Sequence, residues 1–217
     1  MNTLTLVIGN KNYSSWSLRP WLLLKQAGIP FSEIVIPLYQ KDSDAKILEH
    51  SPAGKVPILK DGDRTVWDSL AIAEYLNERF PDRGLWPREE GARAMARSIS
   101  AEMHSGFMDL RNECPMNVRR KPSQIVLGDG AHEDIRRIQE IWTECRSKSG
   151  KDGPFLFGKF SIADALYAPV VFRFTRYAIP MNEASQAYAD TVLALPAIKE
   201  WIDQAVLEPW VLKSDEK

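Results

Sequence analysis

A change of hydrophobic period near residue 81 constrains this chain more than any other feature. Before it, short β-type runs alternate with helical ones; after it, the periodic stretches are all helical. Leu4-Thr5-Leu6-Val7-Ile8 has strand character and is ended by Gly9-Asn10. Residues 17–27 set Leu18, Trp21, Leu22 and Leu24 at helical spacing, with Gly28 as the stop. Pro20 is expected in the first turn of that helix, where its missing N–H costs nothing. Residues 31–36 form a second strand, halted by Pro37. A β-α-β crossover of this kind implies parallel, right-handed pairing. After a weakly helical polar stretch over residues 40–50, two runs flank Asp61-Gly62-Asp63, the signature of a hairpin. Residues 68–80 then form a helix with Leu70, Ile72, Ala73, Leu76 and Phe80 on its buried side, closed by Pro81. The order βαβαββα describes an α/β domain over residues 1–81.

Residues 82–88 read as a linker, and residues 89–217 as an all-α domain. Amphipathic spacing predicts helices over 89–113, 132–147 and 196–206, with loops at 121–131 and 148–154. Ser161-Ile162-Ala163-Asp164 precedes an apolar run in the pattern of a capping box, with Asp in the Glu position.

Several function classes are disfavoured by what the chain lacks. Its net charge is -1 and no basic stripe stands out, so neither nucleic acid nor an anionic membrane is an expected partner. No apolar run approaches the roughly 18 residues of a membrane span, and the first residues lack a signal-peptide pattern. Cys114 and Cys145 have no CxxC or metal-ligand spacing, and His50, His104 and His132 are scattered. The expectation is a cytoplasmic protein with two reduced thiols and no metal.

Three short segments carry chemistry. Pro57 stands at a strand start; a cis bond there would leave the Val56 N–H and C=O free for an extended ligand. Asp68-Ser69 opens a helix, where a hydroxyl and the helix dipole suit a carboxylate and the adjacent acid suits an ammonium. An α-amino acid end carries both charges. Ser14, Ser15 and Ser17 cluster at another helix start, where a hydroxyl donor and the positive helix end favour a thiolate over a thiol. A free thiol ionises near about pH 8.5, so modest stabilisation makes it largely anionic at neutral pH. No G-x-S-x-G elbow is present, which argues against a serine hydrolase.

These segments, in this order, resemble those of the cytosolic glutathione S-transferases over essentially the whole chain. The resemblance is strongest at Tyr13–Arg19, Ser51–Pro57, Asp68–Leu76 and Ser161–Asp164. It implies a thioredoxin-like N-terminal domain, an all-helical C-terminal domain, glutathione as co-substrate, and a homodimer. The serine cluster is most similar to the zeta class, which includes maleylacetoacetate isomerases. By that likeness Ser14 is the thiol activator and Ser15 the runner-up, Tyr13 being a weaker candidate. Lys55, Val56, Asp68 and Ser69 would contact glutathione. The chain departs from the zeta pattern at Trp16, where a cysteine is usual, and at Trp21, where a second arginine is usual.

The acceptor site is expected between the domains. Met103, Phe107 and Arg111 fall four apart on the helix proposed for 89–113, with His104 and Asn112 adding polarity. Arg176 stands twelve residues after Asp164, and Pro169 five after it; this is the zeta spacing for an arginine that binds a substrate carboxylate. The Ser161–Asp164 box is assigned to folding. The reading is a transferase that directs glutathione sulfur onto a small electrophile. A cis-trans isomerase of the maleylacetoacetate type and a non-enzymatic ligand-binding or regulatory relative are the alternatives.

Overall fold

The computed structural model describes residues 3–149 and 153–217. Four strands, β1 (Leu4–Ile8), β2 (Phe31–Val35), β3 (Ile58–Asp61) and β4 (Arg64–Val66), form one sheet in the order β2-β1-β3-β4. β1 pairs parallel with β2 and antiparallel with β3, and β3–β4 is the expected hairpin. The apolar run Leu4–Ile8 takes a central place because it is buried nearly throughout, whereas β2 is mostly exposed at an edge. Gly62, at φ 59°, supplies the left-handed residue of the hairpin turn.

Helices α1 (Ser15–Gln26), α2 (Ser43–Leu48) and α3 (Ser69–Arg79) complete the first half. α1 begins two residues earlier than its apolar spacing suggests, because Ser14 caps it. Pro20 therefore lies in the second turn, not the first, and the Trp16 carbonyl loses its i+4 donor. Residues 81–88 look polar in sequence, yet Leu85 and Trp86 are buried, and the Leu85 carbonyl accepts from Ile162 N–H at 2.9 Å. This segment is an anchored strap.

The second half comprises α4 (Glu90–Ser105), α5 (Met108–Glu113), α6 (Asp129–Ser149), α7 (Ile162–Arg176), α8 (Glu183–Ala194) and α9 (Pro196–Val206). The single helix expected over 89–113 is interrupted. Gly106 ends α4, and Phe107 turns the chain at φ 60° before α5. Met103, Phe107 and Arg111 therefore do not share one helical stripe. α8 has no counterpart in the sequence reading; Asn182 caps it by accepting Ser185 N–H at 2.8 Å.

α7 is the axis of the molecule. Residues 162–174 are all buried, and it packs against α1, α4 and α8. Its start is fixed as expected. Asp164 Oδ2 accepts from Ser161 N–H (2.8 Å) and Ser161 Oγ (3.0 Å), and Oδ1 accepts from Leu156 N–H (3.1 Å). Burial nonetheless outweighs these bonds and pushes the Asp164 carboxyl up to about 6. Among the described residues no helix is long and apolar enough to cross a membrane.

Candidate active site

The N-terminus of α1 delivers the serine cluster. Ser14, the N-cap, donates to Ser17 Oγ at 2.7 Å and accepts Ser17 N–H at 3.3 Å. Ser17 Oγ in turn accepts Gly9 N–H at 3.0 Å, tying the helix start to the end of β1. Ser15 faces the other way: its Oγ accepts from Arg173 Nη2 of α7 at 3.4 Å. The Tyr13 hydroxyl is committed elsewhere, donating to Glu216 (2.6 Å) and accepting from Arg119 Nη2 (3.0 Å). The loop ahead of Ser14 is pinned by Glu208, whose carboxylate accepts the N–H groups of Lys11 (2.6 Å) and Asn12 (2.9 Å).

The second wall comes from the segments that lead into β3 and α3. The Val56–Pro57 bond is cis, and Val56 lies outside the sheet ladder, half-buried beside exposed Lys55. Asp68 caps α3: its Oδ1 accepts Leu70 N–H (2.9 Å) and Ala71 N–H (3.2 Å). Asp68 Oδ2 remains free of the cap and lies 3.1 Å from His104 Nε2 of α4. Ser69 is fully buried, and its hydroxyl has no partner among the described residues. A buried donor left in that state is an invitation to an acceptor.

His104 joins the two walls. Its ring meets the Trp16 ring edge-on, with centroids 5.2 Å apart, while its Nε2 contacts Asp68. The hydroxyl cluster of α1 and the acid–hydroxyl pair of α3 are thus linked through two contacts.

Behind Trp16 the structure gathers three guanidiniums. Arg19 lies 4.2 Å and Arg111 5.0 Å from the Trp16 ring centroid. Arg19 is buried, and its Nε and Nη1 have no hydrogen-bond partner among the described residues. Arg111 donates to the Met103 and Gly106 carbonyls, bracing the break between α4 and α5. Arg173 donates to the Cys114 carbonyl as well as to Ser15. Burial lowers the pKa of all three. Arg111 and Arg173 push Arg19 down further by repulsion, and Arg173, beside Arg111, falls to about 10.

The acceptor-side residues separate. Met103 and Phe107 are packed in the core, and Arg111 stacks on Trp16. Arg176, at the end of α7, is half-buried, and its Nε has no partner among the described residues. Its carbonyl, not its side chain, anchors Arg120 Nη1 (2.6 Å) and Ser123 N–H (3.2 Å). The arginine of α7 that reaches the serine cluster is Arg173. Sequence reasoning passed over Arg173 and Arg19; the available signal was a lone cation inside the apolar run of α7. No group of three or more His, Cys, Asp or Glu among the described residues is arranged to hold a metal.

Comparison with known proteins places the chain in a family. The family model for the glutathione S-transferase N-terminal domain matches residues 13–79, and that for the C-terminal domain matches residues 127–204. The chain belongs to the glutathione S-transferase family. A probable maleylacetoacetate isomerase of Caenorhabditis elegans is 28% identical over 170 residues, 77% of each chain. Glutathione S-transferase Z1 of Arabidopsis thaliana is 26% identical over 173 residues, covering 74% of this chain and 75% of its own. The crystal structure of a glutathione transferase homolog from Burkholderia gl BGR1, with bound glutathione, superposes with a TM-score of 0.73 at 24% identity. That match covers 94% of this chain and 99% of the other, and shows the shared fold.

Proposed function

We propose that this glutathione transferase binds glutathione across the α1 and α3 N-termini. A serine hydroxyl of the 14–15 pair then holds the sulfur as a thiolate for attack on a small electrophile. The observation that carries the reading is the state of α3. Ser69 offers a buried, unpartnered hydroxyl, and Asp68 offers an oxygen not used in capping. A γ-glutamyl end supplies the carboxylate and the ammonium these two groups lack. The Val56 backbone and Lys55 would take the rest of the peptide.

The chemistry needs no protein nucleophile. The fold would supply an anion-favouring helix end and a hydroxyl donor, with the acceptor held between the two halves. Calorimetry with glutathione on wild type and Ser69→Ala tests the reading. The substitution removes a hydrogen bond to a charged group, worth about 1.5–3 kcal/mol, so affinity falls by roughly tenfold or more. A folded wild type that binds no glutathione would leave the non-enzymatic alternative standing.

The isomerase reading has its own support. The half-buried Arg176 has an Nε without a partner among the described residues, and a guanidinium in that state suits a substrate carboxylate. Reversible thiol addition to a double bond, rotation and elimination then follow. Equal turnover of acidic and neutral acceptors by wild type and Arg176→Ala would remove it. A cytoplasmic homodimer, as in the family, completes the proposal, and light scattering of the purified protein tests the dimer.

A further inference from the structure

We propose that His104 and the ammonium of a bound ligand compete for one oxygen of Asp68, which makes His104 the residue that sets how much the protein gains from a free amino group on its ligand. The inference rests on the glutathione reading above and adds a residue of the helical half that tunes it.

Asp68 has little left to give. Its Oδ1 accepts the Leu70 and Ala71 N–H groups of the α3 cap, so an arriving cation finds the remaining charge at Oδ2. Oδ2 already lies 3.1 Å from His104 Nε2. A carboxylate accepts and does not donate, so Nε2 carries the hydrogen of that contact. A second donor on the same oxygen meets the first as positive hydrogen against positive hydrogen, and each gains less than it would alone. The two groups reach Oδ2 by different routes. The Asp68 side chain is 54% exposed and the His104 side chain 23%. The ammonium therefore arrives from solvent, while the imidazole reaches across from α4.

The imidazole keeps its place at a cost. Its Nδ1 is buried without a partner among the described residues, an unfavourable state for a polar atom. The ring is held by Asp68 on one side and by edge-on packing against Trp16, with centroids 5.2 Å apart, on the other. Among the described residues Asp68 is the only acid within ion-pair distance of His104. An ammonium on Oδ2 thus deprives the ring of its one ionic partner and leaves it only the indole. A ligand without an amino group leaves the imidazole where it is. His104 is in this sense a positioning residue for Asp68, and it limits how strongly the amino group is selected.

The test is calorimetry of wild type, His104→Leu and His104→Gln with two probes. One is glutathione; the other is its des-amino analogue, in which hydrogen replaces the γ-glutamyl amino group. Leucine keeps bulk against Trp16 and removes the donor, whereas glutamine keeps a donor. His104→Leu should bind glutathione about three- to fivefold more tightly than wild type, the worth of a partly exposed ion pair. It should bind the des-amino analogue as wild type does. His104→Gln should return glutathione affinity toward the wild-type value. If His104→Leu does not fold, His104→Ala carries the same expectation. Unchanged or weaker glutathione binding by the variant without a donor overturns the proposal, because the imidazole then ignores or assists the ligand. Equal tightening of both probes also overturns it, because the amino group then plays no part. A wild type that binds neither probe refutes the underlying glutathione reading instead.

Discussion

At the start of α7, Asp164 sits in the core with three donors on its carboxylate; nine residues on, Arg173 is also buried and meets two backbone carbonyls and a serine oxygen, with no carboxylate. Both are charges removed from water on one helix. The first is answered by its own chain within eight residues, so it serves the fold. The second is left short of a counter-charge beside two more arginines. A buried charge that is completely hydrogen-bonded reads as architecture, and one surrounded by like charges reads as function.

The contrast can be broken in four places. Asp164→Ala strands the buried N–H groups of Ser161 and Leu156, and should cost about 3 kcal/mol in chemical denaturation. Activity per folded molecule should be unchanged; a stable but inactive variant would move Asp164 to the functional side. A pH series sharpens the same point. The Asp164 carboxyl is raised to about 6 in the fold, against about 3.9 in the unfolded chain. The protonated form is therefore favoured on folding. Its stabilisation is complete below about pH 4 and is lost as pH rises through about 6. Asp164→Asn, permanently neutral, should flatten that part of the stability profile, and an unaltered slope would count against the assignment.

Ser14→Ala removes an N-cap and should cost about 1 kcal/mol in thermal or chemical unfolding. No change would mean that Ser14 Oγ is not engaged by its own helix. The smallest effect on stability is expected at Arg19→Met. Replacing an unpaired buried cation by an apolar side chain of similar length is often neutral or stabilising. A loss there of the size expected at Asp164 would show that Arg19 is paired after all, and the contrast between a satisfied and an unsatisfied buried charge would weaken.

The legible parts of the sequence were those governed by neighbours. β1, the Asp61–Gly62 hairpin, α3 and the capping box at Ser161 all follow from residues a few places apart, and the acid–hydroxyl pair at 68–69 was visible for the same reason. The break at Gly106–Phe107 was hidden because apolar spacing continues across it, and the structure turns on a single left-handed residue. Pro20 was misplaced because the cap, not the apolar pattern, fixes where α1 begins. The arginine cluster was beyond reach for a different reason. Arg19, Arg111 and Arg173 meet only when α1 packs on α7 and α5 folds back, and no local pattern encodes that meeting.

The bonds from Glu208 to Lys11 and Asn12 carry a consequence for synthesis. The ribosome makes the loop that leads into Ser14 well before it makes Glu208. Throughout translation the sheet around β1 has every local instruction it needs, but two backbone donors beside the serines wait for a partner nearly two hundred residues away in sequence. The loop ahead of Ser14 therefore stays unpinned until Glu208 has emerged and closed back on it, and the shape of the α1 N-terminus is a property of the whole molecule.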